Sequence, residues 1–163
     1  MHVVPSAEQA ITSIQPGNRV FVQGGAATPL HLLNALYSKK ESFHDCELIH
    51  IHLVGDIPHG KKDFYKSFKT TSLFVGENAR KFLSEIPDLF RKNIRPIDVA
   101  LIHVSPPDKH GLCSLGTSVD VTRAACDSAK VIIAQVNKQM PRVHGDGLIH
   151  KDQIHFAIEI DEP

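Results

Sequence analysis

The chain has no net charge to offer a polyanion: eighteen lysines and arginines balance eighteen aspartates and glutamates in 163 residues. Its basic residues do not cluster with aromatics either, so nucleic acid is not an expected partner. Cysteine is scarce. Cys46, Cys113 and Cys126 are too few, and odd in number, for the disulfide framework of a secreted domain, so free thiols in a reducing compartment are expected. Apolar runs are short; none approaches the roughly 18–20 residues of a membrane span. The first residues hold neither a hydrophobic signal core nor an arginine-rich transit segment. A soluble intracellular protein with no membrane partner is therefore expected. Repeats are missing too, and 42% hydrophobic with 22% charged residues is the composition of one ordinary globular domain.

What is present is an alternation of apolar runs with helical or charged segments. Ser6 and Gln9 have the spacing of a capping box ahead of a short helix with Ala10, Ile11 and Ile14 inward, which Pro16-Gly17 ends. Residues 19–23 predict a strand that runs into GGAATP, where Thr28 is placed to cap a helix with Pro29 in its first position. Leu32, Leu33 and Leu36 form one face of that helix, over residues 30–38. Further strands are predicted over 46–54, around Phe74 and Val75, and over 96–104, 130–136 and 153–160, with a helix capped by Asp120 running to Ala129. No internal linker appears. The expected fold is α/β, an open, mostly parallel sheet flanked by helices, in a single domain over 1–163. The chain stops just after an apolar strand-like run, which reads as a cut through a longer protein.

Four stretches carry chemistry. The strand, Gly24-Gly25, helix sequence can present backbone N–H groups at a positive helix end to an anion or an oxyanion, or can be a plain turn. It does not match G-x-G-x-x-G, and Asp56 only loosely occupies the place of a ribose-binding carboxylate. His50-Ile51-His52 puts two imidazoles on one strand face, a way to begin a metal site that His59, His103, His110 or His144 would have to complete; the plainer reading is histidines at a polar cleft or surface. Cys113 with His110 is either a thiolate and its base or a small buried hydrophobe near a polar residue. In MPRVHGDG, Arg142 can clamp a carboxylate or phosphate, or simply pair with Asp146. The loops that follow the strands ending near Gln23, Val104 and Val136 all combine glycine or proline with polar groups, as a ligand crevice at the carboxyl edge of a parallel sheet requires.

VQGGAATP, VALIHVSPPDKHGLCSLGTSVDVTRAA and IIAQVNKQMPRVHGDGLIH together resemble the amino-terminal domain of the acetyl-CoA hydrolase/transferase family, which includes 4-hydroxybutyrate and acetate or succinate CoA-transferases; the resemblance runs from about Ser6 to Pro163. It implies a CoA-transferase-like fold and coenzyme A or acyl-CoA as substrate, with no metal. The partners it implies are small carboxylic acids such as acetate or 4-hydroxybutyrate and a missing carboxy-terminal domain; a homo-oligomer is a further expectation. In that family a glutamate of the second domain attacks the thioester, so no catalytic residue is assigned here and the chain is expected to be inactive alone. The binding residues implied are Gly24, Gly25 and Ala26 of the glycine turn, Pro106, Pro107, His110, Gly111 and Ser114 of the central loop, and Met140, Pro141, Arg142, His144 and Gly145 of the third. The alternatives are a non-catalytic α/β module that binds a nucleotide or acyl-CoA, and a metal-dependent hydrolase using His50 and His52. One departure stands out: family members carry roughly a dozen further residues between Lys81 and Phe82, whose loss shortens a crossover connection.

Overall fold

Six consecutive buried residues make Val99–Val104 the strand around which the molecule is organised. Burial on both faces is what a near-continuous apolar run demands in a parallel sheet. A computed structural model describes residues 1–55, 66–73 and 86–163. Within them the chain forms β1 (His2–Val3), α1 (Ala7–Ala10), β2 (Arg19–Val22), α2 (Leu30–Ser38), β3 (Cys46–His50) and β4 (Phe68–Ser72). There follow α3 (Ile86–Arg91), β5 (Val99–Val104), β6 (Leu112–Ser114), α4 (Thr122–Ser128), β7 (Val131–Asn137), β8 (Leu148–His150) and β9 (Phe156–Ile160).

Seven strands form one sheet in the order β1-β9-β7-β5-β2-β3-β4, and every pairing in it is parallel. The predicted α/β class is thus observed. From β2 the chain moves outward through β3 and β4, then returns to the other side of β2 for β5, β7 and β9. The order therefore reverses between β2 and β5, whose register pairs Val20 with Val99 and Val22 with Leu101. At such a reversal the connections leave to opposite faces and open a crevice at the carboxyl ends of the strands. Alternate residues of β5 divide accordingly. Val99 and Leu101 face a core closed by Ile11, Ile14 and the leucines of α2, while Ala100, Ile102 and Val104 face one closed by Phe90 of α3 and by Ala124, Ala125 and Cys126 of α4. Phe21 meets Phe90 edge to face in that second core, with ring centroids 5.8 Å apart.

Local expectations hold where a residue's own chemistry decides them. The Ser6 hydroxyl accepts from the Gln9 N–H at 3.3 Å, and Ala10, Ile11 and Ile14 are buried. Asp120 is not the residue flanking α4, which is Val121 without a side-chain cap, but it stands one place earlier and accepts from the N–H groups of Val121 and Thr122. Thr28 is a correction: it does not cap α2, whose flanking residue is Pro29 without any side-chain cap. Its hydroxyl instead donates to the Gly25 carbonyl at 2.8 Å and accepts from Val54 N–H at 3.1 Å, because the glycine turn folds back over it. The strands β1, β4, β6 and β8 were not predicted. β4 reads FKTTS, too polar for an apolar signal, and the others span two or three residues, too few for a period to show. The strand predicted around Phe74 and Val75, Asp56, His59 and the junction of Lys81 with Phe82 lie outside the described residues.

Candidate functional site

The three loops singled out by sequence leave the carboxyl ends of β2, β5 and β7, and these strands are neighbours in the sheet. What holds the loops together is a set of buried polar side chains. Gln23, with no solvent exposure, donates through Nε2 to the carbonyls of Leu115 at 2.9 Å and Ser118 at 3.0 Å, and accepts through Oε1 from His103 N–H at 2.8 Å. Gln135, at the matching end of β7, accepts from His31 N–H at the start of α2. Ser105 accepts through Oγ from Ser114 N–H at 2.9 Å, and Ser114 Oγ accepts from the N–H groups of Gly116 and Val143 at 3.2 Å each. Ser114 therefore spends its hydroxyl on joining the central loop to the third one.

Close approach explains the glycines. A β-carbon on Gly24 would lie 2.3 Å from the His52 carbonyl oxygen, and one on Gly25, whose φ is +59°, would lie 2.6 Å from Ser118 Oγ. The turn is thus wedged between the segment after β3 and the central loop. Gly25 donates its N–H to His52 O at 2.9 Å, so the expectation that this group is free is corrected. Ala27 and Thr28 donate back to Gly24 and Gly25 within the turn. The N–H groups of Gly24 and Ala26 have no acceptor among the described residues.

Arg142 reaches back over the central loop. One guanidinium nitrogen donates to Ser105 Oγ at 3.0 Å and to the carbonyls of Pro106 and Leu112 at 3.2 Å each, and the other to Asp108 Oδ2 at 3.1 Å. Its carboxylate partner is Asp108, not Asp146. The N–H groups of Leu112 and His110 also donate to Asp108 and, with the nearby guanidinium, hold its carboxyl below the usual range. Pro106 and Pro107 are half-buried along this clasp, and Met140 is buried with its sulfur over Gly116. His110 is exposed, and its carbonyl meets His150 Nε2 at 3.2 Å, close to where Gly111 packs on the same ring. His110 and Gly111 lie in the turn that leads into the β6–β8 ribbon. Pro141, His144 and Gly145 are exposed, and His144 and Gly145 take part in no hydrogen bond among the described residues.

Cys113 is fully buried in the second core, and burial pushes its thiol up to about 11, the opposite of what a nucleophilic thiolate needs. His50 closes β3 in a buried position, whereas His52 is exposed beyond the strand end. Among the described residues no three of histidine, cysteine, aspartate and glutamate gather as a metal-binding group. His103 is the buried titratable group of the crevice: neither ring nitrogen makes a well-formed hydrogen bond among the described residues. Burial first, then the neighbouring His31, pushes it down to about 4, against weaker opposing pulls from the Thr28 carbonyl and Glu162.

Sequence reasoning did not single out Gln23, Gln135 or Ser118. The signal for the first two is a glutamine closing an apolar run, in VFVQ and again in IIAQ; Ser118 carries no comparable signal.

Comparison with known proteins agrees with this layout. The model of the acetyl-CoA hydrolase/transferase N-terminal domain matches residues 2–163. A succinyl-CoA:acetate/propanoyl-CoA:succinate CoA transferase of Fasciola hepatica is 45% identical over 159 residues, covering 89% of this chain and 33% of that protein. A 4-hydroxybutyrate coenzyme A transferase of Clostridium kluyveri is 38% identical over 170 residues, covering 97% of this chain and 40% of that protein. The latter alignment is longer than this chain, so that relative holds residues with no counterpart here. The crystal structure of a 4-hydroxybutyrate CoA-transferase from Porphyromonas gingivalis superposes with a TM-score of 0.89 at 36% identity, over 99% of this chain and 40% of that one. The chain thus spans between a third and two fifths of the length of these relatives. With the family model matched over residues 2–163 and these relatives aligned along most of its length, the chain belongs to the acetyl-CoA hydrolase/transferase family, through that family's N-terminal domain.

Proposed function

We propose that the chain forms one wall of a site that moves coenzyme A between acyl-CoA thioesters and small carboxylic acids such as acetate or 4-hydroxybutyrate, with water as acceptor giving hydrolysis. The observation that carries this reading is the pair of N–H groups, on Gly24 and Ala26, that have no acceptor among the described residues, at the carboxyl end of β2 beside the reversal of strand order. Donors held there by the backbone suit a thioester carbonyl whose oxygen gains charge during attack, and losing one such donor typically costs about 10²–10³ in rate. The family resemblance assigns the attack to a glutamate carboxylate: its oxygen bonds to the acyl carbon as CoA thiolate leaves, and the thiolate then takes the glutamyl carbonyl as the acyl acid departs. An acceptor acid reverses these steps. Glu159 and Glu162 do not stand in that glutamate's motif, and Glu162 is engaged with His31 at 2.8 Å. In this reading the nucleophile comes from a second domain, and this chain by itself turns nothing over.

Exchange of label between acetyl-CoA and acetate, measured for the chain alone and with a second half supplied from a relative, tests the reading. Exchange only in the combined sample, with a borohydride-trappable glutamyl thioester on the supplied half, is expected. Exchange by the chain alone would move the nucleophile into these residues. Calorimetric binding of NAD in place of CoA or acetyl-CoA would favour a nucleotide-binding module instead.

A further inference from the structure

The central crevice depends on one side chain that the proposed chemistry does not use directly. Gln23 follows β2 directly and precedes the glycine turn, and its amide makes three bonds to two separate pieces of chain: one to the end of β5 through His103 N–H, and two to the loop segment 115–118 through its carbonyls. Both Nε2 protons and the Oε1 atom are used, at 2.8–3.0 Å. Only one amide orientation satisfies this arrangement, since two acceptors face the nitrogen and one donor faces the oxygen. Ser118, whose carbonyl is held in this way, presents its hydroxyl to Gly25 so closely that no β-carbon fits between them. The spacing between the glycine turn and the central loop is therefore set through this amide.

We propose that Gln23 is the positioning residue of the site: it sets the width of the gap between the Gly24–Ala26 turn and the 115–118 segment, and hence the fit of an acyl group placed against the turn. The role in ligand fit rests on the CoA-transfer reading above; the role in setting the gap does not. Glutamine is required chemically. Methionine fills a similar volume with no donor and only a weak acceptor, and an ionised glutamate turns two donors into acceptors that face carbonyl oxygens. A protonated glutamate regains one donor.

The parent chain supplies the first test. The two Nε2 protons of Gln23 should appear as separate NMR signals that exchange roughly a hundredfold more slowly than those of the exposed Gln9; exchange at the Gln9 rate would overturn the proposal, and this measurement stands even if no variant folds. In Gln23→Met, hydrogen-exchange protection at His103, Leu115 and Gly116 should fall roughly tenfold, with Ala10 and Ile158 unchanged. In Gln23→Glu, protection at the same sites, corrected for intrinsic exchange, should rise as pH falls from 8 to 5, which a purely space-filling role would not produce. Unchanged protection in Gln23→Met, or no pH response in Gln23→Glu, overturns it. Calorimetry with acetyl-CoA separates the two levels: binding by the parent weakened about tenfold in Gln23→Met supports both, while no binding by the parent removes the CoA reading and leaves the exchange results to decide on Gln23.

Discussion

Replacing Arg142 by alanine separates a loop clasp from a ligand clamp. The guanidinium makes contacts of 3.0–3.2 Å to Ser105 Oγ, two backbone carbonyls and Asp108 Oδ2. A fully buried set of charge-assisted bonds would be worth several kcal/mol. Here the side chain of Arg142 is 42% exposed and that of Asp108 31%, so water replaces most of what is lost. About 1–2 kcal/mol remains, chiefly from the bond to buried Ser105 and the ordering of the loop. For a domain of this size that lowers Tm by about 2–8 °C. Arg142→Lys should recover less than half, since one ammonium cannot span Ser105 and Asp108 as the planar fork does. The local readout is hydrogen exchange at Leu112 and Ser114, whose N–H groups are held by Asp108 and Ser105. An unchanged melt and unchanged protection, together with a large loss of carboxylate binding, would refute the reasoning and make Arg142 a substrate clamp.

Three further outcomes are expected. Gly24→Ala drives a β-carbon against a backbone oxygen that cannot swing away while it accepts from Gly25, and should cost roughly 1–3 kcal/mol in urea melts; a melt equal to the parent would mean the turn is not wedged as described. His103 stays neutral in the fold at a pKa of about 4, whereas its unfolded value is near 6.5, so the unfolded chain binds the extra proton between these values and stability falls as pH drops from about 7 to 4. The loss is at most about 3 kcal/mol, and it should disappear from the difference between pH 7 and pH 5 melts in His103→Phe. Cys113, at about 11 and fully buried, should react with iodoacetamide at pH 8 at least about a hundredfold more slowly in the native chain than in urea; equal rates, resolved by mass spectrometry of the peptide, would place the thiol at the surface.

Much of the architecture was legible because it rests on local chemistry. The apolar runs VALIHV and VIIAQVN could satisfy their backbones and bury both faces only as interior parallel strands, and the Ser6 cap and Asp120 are recognisable from spacing alone. So was the meeting of the three loops, since each follows the carboxyl end of a strand. Thr28 escapes such reasoning because its hydroxyl can serve the helix or the turn, and the choice depends on where Gly25 and Val54 lie. Spacing alone does not choose between Asp146 and a ligand for Arg142; its partners, Asp108 and Ser105, lie more than thirty positions away in the chain.

The sequence by itself determined the fold class and the end of the sheet at which the polar residues gather, because periodicity and strand-to-loop order are properties of neighbouring residues; the family came from the resemblance of its three loop motifs. Only the tertiary structure decided that the Gly25 N–H is taken by His52, that Ser114 and Arg142 fasten loops to one another, and that Gln23 stands at their common centre. Hydrogen bonds between segments far apart in the chain leave no periodic trace in it; they exist only once the sheet has brought the ends of β2, β5 and β7 side by side.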